Sequence, residues 1–387
     1  MNSLSYSRLT RDASTPKEFR IRWPARTLSG ASDNFFIGVW HPARSIRVDW
    51  GHSSESSLVV RNGPNWSLAS AVSPLHGHDV GLVHRDLTHA GGVGFRGYIL
   101  PHLHSYSPEH QLLQYWSDHP SAEHNGVFSA AVIGRDGRTI TLITDALGIG
   151  TLYYRSWDGG ILFSTSPRYM LSDTDQPDYI AWRCLLETSW ISGDRSLTAG
   201  ISRVPAGRVL HASDRGMLIE TWFDFDKLPA GLASVNQNSI GDVEEVFQES
   251  MKRCLRLRSH NVMLPLSSGF DSRRILSGLL RSNTDFEAIT YRTLQKGFRD
   301  LDARFATQIA QDLSLSHRVV EAVSDDQHVT DNQARRLLVC GETFDHTWAM
   351  RVMGTLPSSP CLFLDGLGGD VLGNPVGWSV RAGPGAG

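Results

Sequence analysis

The sequence predicts an α/β protein in two parts. Three observations carry this. Across residues 262–323, apolar strand-like runs alternate with helical repeats, which is the pattern of a parallel sheet with helices on its faces. Two strand-like runs, at residues 262–266 and 361–364, each end in a Ser/Gly-rich turn, where ligands of such sheets bind. Residues 126–133 and 139–144 instead form a β-hairpin pattern, joined through the turn signal Asp136-Gly137.

Residues 35–40 are an apolar run of strand length. After the hairpin come two more extended runs, at 145–154 and 160–166. A polar stretch with Pro229 and Gly231 reads as a linker. Ile240, Val243, Val246, Phe247, Met251, Cys254 and Leu255 recur at helical spacing and predict a helix over 239–257. Val262, Leu264 and Leu266 then alternate as a strand, and Ile275, Leu276, Leu279 and Leu280 open a helix. Residues 286–291 predict a strand, 302–313 a helix and 317–323 a further strand.

The first turn carries chemistry. Residues 265–274 read Pro-Leu-Ser-Ser-Gly-Phe-Asp-Ser-Arg-Arg. Backbone N–H groups in a tight turn form a nest, and the following helix N-terminus adds positive dipole, so the segment suits an anion. Ser267 and Ser268 add donors, and Asp271 offers a hard oxygen to a phosphate-bound magnesium. No Gly-x4-Gly-Lys-[Ser/Thr] occurs, so this is not a Walker A loop. An ordinary strand-to-helix turn with serine caps is the alternative. The second turn, residues 365–373, ends at Asp370 and by itself could be a Gly-rich surface loop.

Composition narrows the classes. A chain of 387 residues has room for two domains. A net charge of −3 argues against a general nucleic-acid binder. Four cysteines with no Cys-x-x-Cys predict buried thiols in a reducing, cytoplasmic setting. No apolar run reaches membrane-span length, so no membrane partner is expected. Residues 1–34 are Ser- and Arg-rich without an apolar core and read as a poorly ordered extension. His76, His78, His102 and His104, with His84, His89 and His110 nearby, allow a zinc hydrolase. No Asp, Glu or Cys stands at ligand spacing beside them, which favours solvated loop histidines.

Three segments resemble one family. Residues 267–272 are similar to the pyrophosphate loop Ser-Gly-Gly-x-Asp-Ser of the ATP pyrophosphatases, with Ser268 in place of the first Gly. Residues 364–372 resemble Leu-Ser-Gly-Glu-Gly-Ala-Asp-Glu-Leu of asparagine synthetases. Residues 145–154 and 160–166 resemble Asp-Arg-x-Gly-x-x-Pro-Leu-Tyr-Tyr and Phe-(Ala/Ser)-Ser-Glu of that family's glutaminase half, with Ala146, Thr151 and Ser166 replacing Arg, Pro and Glu. The resemblance to asparagine synthetases spans residues 35–374.

It implies an Ntn-hydrolase-like four-layer domain over 35–224, a linker at 225–240, an incomplete adenine-nucleotide α-hydrolase-like domain over 241–374 and a Gly/Pro-rich tail at 375–387. It also implies that Leu266, Ser267, Asp365 and Gly366 hold adenosine. Ser267, Ser268, Gly269, Asp271 and Ser272 cradle pyrophosphate, and Asp271 and Asp370 bracket magnesium. ATP and magnesium would convert a carboxylate, of aspartate or another small or peptide acid, to an acyl-adenylate. An amine would then give the amide, with release of AMP and pyrophosphate. Adenylation supplies the good leaving group that a carboxylate lacks.

The departures bear on the substrate and assign no catalytic residue. The family's glutaminase uses an N-terminal Cys, with its free α-amine as base. Here Asn34 precedes the first strand and no Cys stands ahead of Phe35, so glutamine hydrolysis is expected to be lost. Leu367 replaces the Glu that in asparagine synthetases acts on the attacking ammonia or the intermediate, and Val371 replaces a second acid. A leucine cannot move a proton. The lasso-peptide macrolactam synthetases and β-lactam synthetases are relatives that also lack the Cys, which leaves a macrolactam-forming peptide cyclase open. Family members continue beyond the second turn and supply a Lys; the only Lys after Ser272 is Lys296. A truncated, non-catalytic remnant that associates with a partner protein or a second copy is therefore a further expectation.

Overall fold

The structure is a computed structural model that describes residues 18–22, 35–50, 58–71, 80–84, 90–99, 126–224, 227, 237–256, 261–293, 300–322 and 361–366. These divide into two compact units between Gly231 and Leu232, inside the segment expected to be a linker. The histidine pairs, Lys296, Asp370 and the 375–387 tail lie outside the described residues.

The first unit contains two six-stranded antiparallel sheets. One runs in the order β12 (Ser202–Arg203), β10 (Tyr153–Trp157), β11 (Gly160–Ser164), β2 (Phe35–Trp40), β5 (Trp66–Ala71), β4 (Leu58–Asn62). The other runs β14 (Gly216–Thr221), β13 (Arg208–Ser213), β9 (Ile140–Thr144), β8 (Gly126–Gly134), β7 (Ala90–Ile99), β6 (Val80–His84). The period of two in a strand decides which residues meet. Phe36 and Trp40 of β2 join Ala131 and Ile133 of β8 and Leu142 of β9 in the shared core. Phe35, Ile37 and Val39 pack on the opposite face with Trp50 and Tyr169. Strand β2 is therefore buried on both faces, as its unbroken apolar run requires.

Hydrogen bonds tie the sheets at one corner. Trp40 Nε1 and Asn65 Nδ2 both donate to the Gly137 carbonyl, at 2.8 and 2.7 Å, in the β8–β9 turn. Gly137 has φ +71°, and a Cβ there would stand 2.5 Å from Asn65 Oδ1, so the predicted Asp136-Gly137 turn needs its glycine. Residues 18–22, expected in a poorly ordered extension, form strand β1 (Glu18–Arg22), parallel to β3 (Ser45–Asp49). Its sequence alternates apolar Phe19 and Ile21 with Arg20 and Arg22, which suits a strand. Helix α1 (Tyr179–Thr188) starts at Asp178, whose carboxylate accepts from Ile180 N and Ala181 N at 3.0 Å each.

A buried histidine links this unit to pH. His41 Nδ1 accepts from Ala43 N and Arg44 N, both at 3.0 Å, so Nε2 carries the proton toward the Asp158 carbonyl at 3.1 Å. Burial holds the ring below its ordinary value of 6.5, against the Asp158 carbonyl, which favours the charged form. The neutral ring is the native one. Stability is thus fully present above 6.5 and falls as pH drops toward the folded pKa, because the unfolded chain takes up the proton first. His41→Gln is expected to flatten that slope in denaturant unfolding between pH 8 and pH 5 (about that range). Burial lowers His317 in the same direction, so part of the slope remains.

The second unit has a four-stranded parallel sheet in the order β17 (His317–Ala322), β16 (Glu287–Thr293), β15 (Asn261–Pro265), β18 (Cys361–Phe363). Helix α2 (Gln237–Leu255) precedes β15, α3 (Phe270–Arg281) follows it, and α4 (Leu301–Asp312) lies between β16 and β17. Residues 237–240, expected in the linker, are thus the first turn of α2. Leu264, Leu266, Leu276, Leu279, Ala306 and Ala310 form the core between strands and helices. Among the described residues no helix is long and apolar enough to cross a membrane.

Candidate functional site

Strand order places the site. The chain runs from β15 to β16 and β17 on one side, whereas β18 lies on the other side of β15. The carboxyl ends of β15 and β18 therefore flank a topological switch point, the crevice where open parallel sheets bind ligands. Residues 266–269 leave β15 there, and residues 364–366 leave β18. Register brings them together: Met263 pairs with Phe363, and Leu364 N donates to the Met263 carbonyl at 2.9 Å.

The first turn folds on its own hydroxyls. Ser267 N donates to Ser272 Oγ at 3.1 Å, the two hydroxyl oxygens lie 2.9 Å apart, and Gly269 N donates to Ser267 Oγ at 3.1 Å. Gly269 caps α3 without a side chain, and Asp271 sits in the first turn, where an acid suits the helix dipole. Leu266 and Ser272 are buried beneath the turn. Arg273 lies over the Phe270 ring, 4.6 Å from its centroid, and its Nε donates to the Gly269 carbonyl at 3.2 Å.

The second turn packs on the first. A Cβ at Gly366 would meet Asp271 Cβ at 3.0 Å and Ser272 N at 3.1 Å. Of the residues expected to form the site, Leu266, Ser267, Ser268, Gly269, Asp271 and Ser272 lie in the first turn and the α3 start. Gly366 is brought against Asp271 and Ser272, with Asp365 beside it in sequence. Asp370, the second expected magnesium ligand, lies outside the described residues. Among the described residues no cluster of three or more His, Cys, Asp or Glu side chains could hold a metal.

Three residues were not singled out by sequence. Asp302, at the start of α4, accepts from both Ser268 N, at 2.6 Å, and Ser268 Oγ. Thr290 Oγ1 donates to the Leu266 carbonyl at 2.7 Å, which leaves it to accept from His317 Nε2 at 2.8 Å. The β16 and β17 strands thereby fix the first residue of the turn. Asp302 follows the helix N-cap Asp300 by two positions, and nothing in the sequence separates a capping acid from one that reaches the turn.

In the first unit, the run that resembles a glutaminase half folds around Asp145. Asp145 is fully buried and accepts from Phe128 N, Leu147 N, Ile149 N and Gly150 N, at 3.1, 2.9, 3.2 and 2.6 Å. At the start of β2, Phe35 stacks on Tyr169 with centroids 4.0 Å apart, and Phe36 N donates to Thr165 Oγ1 at 3.3 Å. Asn34 itself lies outside the described residues.

Comparison with known proteins agrees with these elements. Residues 110–223 match the family described as glutamine amidotransferase domain. An asparagine synthetase [glutamine-hydrolyzing] 2 of Bacillus subtilis (strain 168) is 25% identical over 233 residues, covering 56% of this chain and 31% of that relative. The match thus spans less than a third of the relative's length. The solved structure of the allosteric regulatory enzyme of purine biosynthesis is 9% identical, covering 77% of this chain and 76% of its own, with a TM-score of 0.29. That of glutamine phosphoribosylpyrophosphate amidotransferase from B. subtilis, complexed with ADP and GMP, is 11% identical over 83% and 75%, with a TM-score of 0.27. The amidotransferase-domain match over residues 110–223 and the similarity to an asparagine synthetase over about half of the chain support an asparagine synthetase-like family.

Proposed function

We propose that this protein is an ATP-dependent amide ligase that adenylates a carboxylate and passes the acyl group to an amine, releasing AMP and pyrophosphate. One observation carries the reading: two turns that resemble the family's nucleotide segments meet at the switch point between β15 and β18, with the Gly366 backbone against Asp271 and Ser272. In this reading the second unit is adenine-nucleotide α-hydrolase-like and the first is an Ntn-hydrolase-like scaffold.

The residues suit the ligands. The close approach at Gly366 leaves backbone where a larger residue would intrude, and the α3 N-terminus favours the polyphosphate. Asp271 and Asp370 are the oxygen ligands for magnesium, which when bound offsets phosphate charge. Leu266 and Asp365 border adenosine. Asn34, not Cys, stands directly ahead of β2, so in this reading the amine comes from a source other than glutamine hydrolysis at that strand. Leu367 in place of the family's Glu favours, as a second reading, an amine within the substrate itself, as in a macrolactam-forming cyclase.

Calorimetric titration with ATP and magnesium tests the proposal. Wild type is expected to bind. Asp271→Ala and Asp370→Ala are each expected to weaken binding by roughly 10- to 150-fold, the equivalent of one charge-assisted contact of about 1.5–3 kcal/mol. A folded wild type that does not bind ATP would leave a non-catalytic remnant.

A further inference from the structure

Ser267, Ser268 and Gly269 already have partners for their N–H groups within the protein, and one partner differs from the rest. Ser267 N and Gly269 N are met by serine hydroxyls of the turn itself. Ser268 is met by an anion from another helix: Asp302 accepts from its N–H at 2.6 Å and from its hydroxyl. A carboxylate and a phosphate ask for the same donors, and Ser268 has one N–H and one O–H to give. Asp302 is exposed and lies at the second residue of α4, so its side chain can turn into solvent without disturbing the Ala303, Ala306 and Ala310 core face.

We infer that Asp302 is an internal competitor for the polyphosphate turn: its carboxylate holds the Ser268 donors, and polyphosphate binds only when Asp302 leaves them. The inference rests on the polyphosphate reading of this turn. Like charge adds to the competition, because a carboxylate left beside a bound phosphate repels it. The helix start and Arg273 offer positive field to either anion, so neither is favoured by the surroundings alone. The apparent affinity for phosphate is the intrinsic affinity scaled by the fraction of molecules in which Ser268 is released.

Inorganic pyrophosphate, titrated into the full chain by calorimetry without nucleotide, tests this. If Asp302 holds Ser268 in about nine molecules of ten, Asp302→Ala binds pyrophosphate about tenfold tighter than wild type. Asp302→Asn keeps the shape and one acceptor but loses the charge, and is expected to fall between them. Its near-identical size guards against a loop that collapses in the alanine variant, and thermal melts of both variants confirm the fold. Wild-type binding with unchanged or weaker affinity in both variants overturns the inference, making Asp302 a brace for the turn, while the polyphosphate reading stands. Absence of pyrophosphate binding in wild type and both folded variants overturns the inference and that reading together.

Discussion

Asp145→Ala is expected to lower the unfolding free energy by about 4 kcal/mol, measured by denaturant titration. The carboxylate is fully buried and is the acceptor for four backbone N–H groups within 3.2 Å. Removing it strands those donors in the interior, and each unmet buried donor costs about 1–3 kcal/mol, partly offset where the turn can relax toward solvent. Leu147 and Ile149 are exposed and belong to the part that can relax. Phe128 N is in β8, in the middle of a sheet, and cannot. Asp145→Asn keeps one acceptor oxygen and is expected to lose about half as much. A loss below about 1 kcal/mol for the alanine variant would mean that water reaches these donors and the carboxylate is not what orders the turn.

Much of this was legible in the sequence because it depends on local chemistry. The alternation across residues 261–322 gives its strands and helices to within two residues, since apolar spacing and Gly-rich turns are properties of short windows. The first turn of the candidate site is legible for the same reason. Its neighbours are not. Asp302 reaches Ser268 across 34 positions and His317 reaches Thr290 across 27, and neither separation has a signature in the chain. The β15–β18 pairing, which creates the switch point, joins segments about a hundred residues apart; only the shared turn chemistry hinted at it. Strand β1 was missed because five residues between polar stretches give too short a period to stand out, and its partner β3 is likewise short.

Gly150→Ala is expected to be as costly as Asp145→Ala, about 4 kcal/mol, and for a connected reason. A Cβ at position 150 would stand 2.3 Å from both the carbonyl carbon and oxygen of Phe128, contacts that only a backbone shift can relieve. Overpacking of side chains typically costs about 1–3 kcal/mol, and backbone of a central strand yields less than a side chain does. The shift also pulls Gly150 N from Asp145 Oδ2, their 2.6 Å bond being the shortest of the four. The two substitutions therefore damage one cluster, and their costs should not add: the double variant is expected to lose about 5 kcal/mol, well short of the sum. Additive losses would mean that Asp145 and Gly150 act independently, with the turn held by other contacts. Strong sub-additivity would make residues 145–150 a single mechanical unit that orders β8 against the turn after β9. Such a unit would couple the Asp145 hydrogen bonds to the close approach of Gly150 to Phe128.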